Sequence, residues 1–171
     1  LGTFSLQCHP KTPPKSVRAV SVDWIAHGTG LELVYRVDGA GGLTLPAATA
    51  PTRADGLWKT TCFELFLGLS GTAYREFNFA PSTQWAAYDF PAYRAEGQNA
   101  PITAPQINQN AATCRVTLPS GTLTGATRAG LTAVINEGGH ISYWALSHAG
   151  PRPDFHDASC FTLSIAPAEA P

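Results

Sequence analysis

A chain of 171 residues with 44% hydrophobic residues can bury one core and is too short for two comfortable domains. Only 13% of residues are charged and the net charge is −1, so no basic surplus exists to neutralise phosphates and no nucleic-acid partner is expected. No apolar run approaches the roughly 18 residues of a membrane span, and 16 Gly with 14 Pro leave little room for long helices.

Apolar residues alternate with a period of two, which predicts strands over residues 17–25, 31–37, 62–69, 74–80, 84–90, 113–118, 131–137, 140–147 and 160–165. Turn residues separate them: Gly28-Thr29-Gly30, Asp38-Gly39, residues 68–71, Pro119-Ser120-Gly121 and Gly138-Gly139. The last pair predicts a two-residue antiparallel hairpin. Residues 47–55 and 91–105 read as long loops rich in Pro, Ala and Thr, a length that more often carries function than scaffold. Short strands, tight turns and no convincing helix predict an all-β, single-domain antiparallel β-sandwich over residues 1–171.

Alternation also assigns faces. Phe63, Leu65, Leu67 and Leu69 should point into the core, which leaves Cys62, Glu64 and Phe66 on the other side. Phe77 and Phe79 should look inward, and Tyr74, Glu76 and Asn78 outward. For residues 140–147 both assignments are open: His140, Ser142, Trp144, Leu146 and His148 outward, or the reverse, because Ile141, Tyr143 and Ala145 are apolar too. A face offering Glu64, Glu76 and Asn78 is either a ligand platform or a set of solvated strand side chains.

The four cysteines could form two disulfides. Cys62, Cys114 and Cys160 lie in apolar runs, however, where a reduced thiol behaves as a small buried hydrophobe. The chain begins at Leu1, contains no Met and opens with no basic-then-apolar leader, so a cytoplasmic location is expected.

Enzyme signatures are missing. Gly28-x-Gly30 and Gly39-x-Gly41 lack the third Gly of a phosphate loop, and no Gly-x-Ser-x-Gly, His-Glu-x-x-His or Cys-x-x-Cys occurs. Glu64 with Glu76 could serve as acid and base on a glycoside, and Cys160, His156 and Asp157 could form a thiol triad. Burial of Cys160 argues against the second, and a non-catalytic protein without a resident cofactor or metal is expected. His148 and His156, with Asp154, flank a Pro/Gly loop and could ligate a metal or a haem iron.

The tryptophans carry a more specific signal. Trp58, followed by Lys59, and likewise Trp85 and Trp144, sit at strand edges beside polar residues. A saccharide offers apolar C–H faces and a rim of hydroxyls, so it needs flat aromatic walls and fixed polar groups.

The run Asp55-Gly-Leu-Trp-Lys-Thr-Thr-Cys-Phe-Glu-Leu-Phe-Leu67 resembles the segment before and within a central strand of family 9 carbohydrate-binding modules and the related DOMON-like domains. Residues 74–88 look like their next hairpin, and residues 141–148, 154–156 and 160–165 like their closing strands and ligand loop. The resemblance implies a ligand-binding, jelly-roll-like sandwich. By position, Trp58 and Trp144 would clamp a terminal sugar and Glu64 would accept from its hydroxyls, with Glu76, Asn78 and Arg94 as further polar groups. Thr60 and Thr61 stand where those sugar binders commonly have two aspartates. Haem-binding DOMON relatives use Met and His, so a haem mode here would fall to His148 and His156. The expected partner is a small saccharide-like molecule, with haem or metal binding as the alternative.

Overall fold

The computed structural model describes residues 1–166. Its strands, in chain order, are β1 (Gly2–Cys8), β2 (Ala19–His27), β3 (Gly30–Asp38), β4 (Cys62–Gly68), β5 (Tyr74–Phe79), β6 (Trp85–Phe90), β7 (Gln98–Asn99), β8 (Gln106–Asn110), β9 (Thr113–Leu118), β10 (Arg128–Glu137), β11 (His140–Ala145) and β12 (Leu163–Ser164). All strand pairs are antiparallel. One sheet runs β8-β9-β3-β2-β1 and the other β11-β10-β4-β5-β6-β7. Strand β1 joins them. Residues 2–6 pair with β2, and Gln7 and Cys8 then pair with β11, so one strand turns the corner between the layers. This is the β-sandwich that the alternation predicts.

The core between the layers takes one parity of each strand. Leu33, Tyr35 and Val37 face Phe63, Leu65 and Leu67, with Phe77, Phe79, Leu131 and Ile135 beside them. Tyr35 is fully buried, and its hydroxyl donates to the Glu64 carbonyl at 2.6 Å, which satisfies the one polar atom that the ring brings inside. Leu69 falls just past the end of β4 but packs against the same core.

Three strands were not predicted from the pattern. Strands β7 and β8 hold Gln, Asn and one Ile, so no apolar stripe marks them; β8 is an edge strand of half-exposed polar residues. Strand β1 does alternate, with Phe4, Leu6 and Cys8 toward the core and Thr3, Ser5 and Gln7 away from it, but this stretch at the start of the sequence was not read as a strand. At the other end, Cys160 closes a short 3-10 turn (Ala158–Cys160) rather than opening a strand, and only Leu163–Ser164 pair with β10. All four cysteines are free thiols, with Cys62, Cys114 and Cys160 buried.

Gly138 and Gly139, at φ of 64° and 92°, form the tight turn between β10 and β11. Two consecutive left-handed residues are what a twisted two-residue hairpin needs, and only glycine takes both without strain. Glu137, next to that turn, is buried and accepts from the Ser16 hydroxyl at 2.6 Å and from the backbone N–H groups of Lys15, Ser16 and Val17. Burial works against ionisation, but the Ser16 hydroxyl and the three N–H groups outweigh it and pull the carboxyl down to about 2. Glu137→Ala should therefore cost about 2 kcal/mol, allowing for solvent near the loop. Because the folded pKa is depressed, this stability is present above the ordinary glutamate range and lost as pH falls toward 2. Urea titrations at pH 7 and pH 3 should show the gap between Glu137→Ala and wild type shrinking.

Candidate functional site

Strand β4 is buried on both faces, although only one of them meets the sandwich core. Its other face, together with those of β5, β6, β10 and β11, is roofed by residues 91–97, 146–162 and the segment before β4. Register defines two rows on this outer face. One runs Thr132–Glu64–Asn78–Ala86, and the next runs Gly130–Phe66–Glu76–Tyr88.

The long roofing loop enters where β11 stops. Leu146 N–H still bonds to the Leu131 carbonyl, and the chain regains β10 only at Leu163. Between these points Phe161 lies on Gly130, where a Cβ would stand 2.8 Å from the Phe161 ring. Gly130 thus makes room for an aromatic layer: Phe161 stacks on Phe66 at 5.5 Å, and Tyr74 stacks on Phe90 at 4.9 Å.

Between sheet and roof lies a cavity of about 670 Å³. Its floor carries Glu64 and Glu76, its walls include Phe66, Tyr88, Phe90, Tyr143 and Phe155, and Trp58, Arg94 and Arg152 stand around it. Trp58 sits in a 3-10 turn (Leu57–Lys59) and is 52% exposed, a large ring left at the entrance. Lys59 does not line the cavity; its ammonium lies 5.9 Å from the Trp58 ring centroid.

The two roofing loops are tied together. Asp154 accepts from the Arg94 guanidinium at 2.8 Å and from the His156 backbone N–H at 3.1 Å, and it also accepts from the Tyr93 hydroxyl. The Tyr74 hydroxyl takes the Arg94 backbone N–H at 3.3 Å and meets His156 Nδ1 at 2.8 Å. His156 Nε2 stands 3.6 Å from Glu76 Oε2. Assigning the imidazole proton to Nε2 lets Tyr74 donate to Nδ1 and leaves an N–H facing the carboxyl.

Electrostatics on the floor follow from burial. Glu64 is 2% exposed and takes one hydrogen bond, from the Thr132 hydroxyl at 2.9 Å. Burial, reinforced by the neighbouring Glu76 charge, holds it well above the usual carboxylate range. Burial lifts Glu76 to about 7, with the Asn78 amide and Arg94 limiting the rise. Burial, with Arg94 adding to it, lowers His156 to about 4. Near pH 6 the His156–Glu76 contact is therefore mostly between neutral groups. Asn78 is fully buried; its amide is close enough to steady Glu76, yet neither of its polar atoms makes a hydrogen bond of good geometry. These side chains are not solvated strand residues.

Of the other residues singled out in the sequence, Trp144 does not reach the cavity. Register pairs it with Ala133, a core residue, whereas Tyr143 pairs with Val134 on the cavity side. Trp144 is 4% exposed, packs in the core and donates from its indole to the Ser142 hydroxyl at 2.9 Å. The fold thus supplies Tyr143 where the resemblance put a second tryptophan. Thr60 and Thr61 are spent on the scaffold: Thr61 donates to the Thr44 carbonyl at 2.7 Å, and Thr60 accepts from the Asn136 amide at 3.0 Å.

The histidines do not fit an axial haem pair. His156 is engaged by Tyr74 and Glu76, and His148 Nε2 meets the Gln7 carbonyl at 2.8 Å with its ring edge-on to His9. Among the described residues, no group of three His, Cys, Asp or Glu converges to hold a metal ion. Cys160 is no thiolate either, since burial pushes its thiol up and its sulfur contacts the Asp154 carbonyl at 3.8 Å. Among the described residues, no helix is long and apolar enough to cross a membrane.

No protein-family model matches the chain, and no curated protein matches it. A solved structure from Bacteroides uniformis ATCC 8492, named a "putative carbohydrate-binding protein", matches with a TM-score of 0.70 at 15% identity, over 94% of this chain and 84% of that one. The likeness is one of fold.

The wall residues Phe66, Tyr88, Phe90 and Tyr143 were within reach of the sequence. Phe66 shares parity with Glu64, and Tyr88 and Phe90 share parity in their strand, but nothing local marked that face as roofed. Arg152 and Phe155 gave no signal, because a Pro-rich loop has no periodicity to read.

Proposed function

We propose that this chain is a non-catalytic binding domain for a small saccharide-like ligand held in the cavity above β4 and β5. The observation that carries this reading is the cavity itself: aromatic rings around a floor of carboxyl groups, in a volume of about 670 Å³. That volume lies in the range of roughly 300–1,000 Å³ usual for small-molecule sites. A pyranose would lay its C–H face on Trp58 or Tyr143 and direct hydroxyls at Glu64, Glu76 and Arg94. The resemblance to family 9 modules and DOMON-like domains points the same way, as does the fold shared with the Bacteroides uniformis protein. The four free thiols fit a reducing compartment, where the domain is proposed to work.

Binding at mM to µM strength, roughly −4 to −8 kcal/mol, is expected. Tryptophan fluorescence should change saturably on titration with a monosaccharide and disaccharide panel, because Trp58 is exposed at the entrance. Trp58→Ala should lose both the signal and, by calorimetry, most of the affinity. Full calorimetric affinity in the variant would remove Trp58 from the site, and a flat response to the whole panel would reject the reading.

A further inference from the structure

The floor of the cavity holds two buried carboxyl groups, and among the described residues neither is ion-paired with a Lys or Arg, although Arg94 and Arg152 stand around the cavity. Glu64 and Glu76 project from adjacent strands on one face. Among the described residues, Glu64 takes only the Thr132 hydroxyl, and Glu76 has only the imidazole of His156 within 4 Å as an ion-pair partner. Arg94, whose charge acts on Glu76, is already paired with Asp154. A second observation concerns the amide beside them. Asn78, opposite Glu64 in register and fully buried, lies close enough to steady Glu76, yet neither amide atom makes a hydrogen bond of good geometry. A buried polar group without a partner in a folded core is rare and asks for an explanation.

Resting on the saccharide reading, we infer that the ligand carries an alkylammonium group, as an amino sugar does, seated over Glu64 and Glu76. An ammonium brings three N–H donors and one positive charge. The floor offers acceptors on Glu64 and Glu76, and the Asn78 N–H₂, buried beside them on the same face, can turn to the ionised Glu76. The rings of Phe66 and Tyr88 stand on either side of Glu76 in the same row, so a cation there also meets aromatic surface. A hydroxyl would meet the same groups but would not draw the buried carboxyls into their charged form.

The exchange balances in protons. Before binding, Glu76 holds a proton for part of the time at neutral pH because burial lifts it to about 7. Arrival of the ammonium stabilises the carboxylate, and up to one proton leaves to solvent. The titratable groups facing the pair from the sheet are Cys62, Tyr74, Tyr88 and Tyr143. From the roof come His156, the Arg94–Asp154 pair and Arg152.

Calorimetry of the intact protein at pH 6.0, where the glucosamine amine is protonated before it binds and Glu76 still holds most of its proton, tests this in two buffers of different ionisation enthalpy. The probes are glucosamine, glucose, N-acetylglucosamine and cyclohexylammonium. Glucosamine should bind about tenfold tighter than the two neutral sugars, with proton release, and Glu76→Gln should erase that preference and the release. Neutral sugars binding as tightly as glucosamine without proton release would overturn the ammonium inference and leave the saccharide reading standing. Cyclohexylammonium binding while no sugar binds would do the opposite. Binding by none of the four probes would overturn both, as would retention of the preference in Glu76→Gln overturn the assigned seat.

Discussion

Trp144→Ala should lower folding stability by about 3–5 kcal/mol, whereas Trp58→Ala should change it by less than about 1 kcal/mol. The two tryptophans are the same residue type in opposite environments. Trp144 is 4% exposed within the core, so truncation opens a cavity and strips the buried Ser142 hydroxyl of its indole donor. Trp58 is 52% exposed on a 3-10 turn outside the sandwich core, and its removal leaves no void there. Trp144→Phe separates the contributions: it keeps much of the volume, loses the indole N–H, and should cost about 1–2 kcal/mol less than alanine. Urea denaturation of the three variants beside wild type checks this. Equal destabilisation by Trp58→Ala and Trp144→Ala would contradict the placement of these rings.

Glu76→Gln should be more stable than wild type by about 3 kcal/mol at pH 8 and about equal to it at pH 4. The direction follows from proton linkage. Burial raises the Glu76 carboxyl from an ordinary 4.5 to about 7 in the folded protein, so the folded state binds the proton more tightly than the unfolded chain. Stability from that group is complete below pH 4.5 and is lost as pH rises through 7. A shift of about 2.5 units is worth about 3 kcal/mol. Glutamine is the same size and stays neutral, so the variant escapes the loss. His156 acts in the opposite direction. With its pKa lowered to about 4, it adds stability as pH rises from 4 to about 6.5. In wild type these two slopes nearly cancel between pH 4.5 and 6.5, so the fall of stability there comes from Glu64, which burial also holds above the ordinary range, and it steepens above pH 6.5 as the His156 contribution ends. Chemical denaturation of both proteins at pH 4, 6 and 8 reads this directly, and a pH-independent difference would show that Glu76 does not titrate as a buried acid.

Particular residues show how far the pattern could be read. Alternation in β4 and β5 placed Phe63, Leu65, Leu67, Phe77 and Phe79 inside, and the register agrees at each of them. It also put Glu64, Glu76 and Asn78 together on the other face, because side chains two apart in a strand must share a side. For β11 it offered two assignments of equal merit, since Tyr143 and Trp144 are both large and aromatic. Register against Ala133 and Val134 made the choice. Local polarity could not distinguish a solvated carboxylate from one under a roof, because the roof comes from residues far along the chain: Arg94 lies 18 residues beyond Glu76, and His156 lies 80 beyond it.

The amino-acid pattern alone determined the all-β class, the Gly138-Gly139 hairpin, the core parity of the central strands and the grouping of three polar side chains on one face. These depend on residue periods of two and on backbone conformations that glycine alone takes easily, both of which are local. Only the tertiary structure decided that this face is roofed over, that Trp144 belongs to the core, and that burial raises the Glu64 and Glu76 carboxyls above the usual carboxylate range. Enclosure and dielectric are set by loops closing over the sheet across long stretches of chain, and no window of neighbouring residues contains that information.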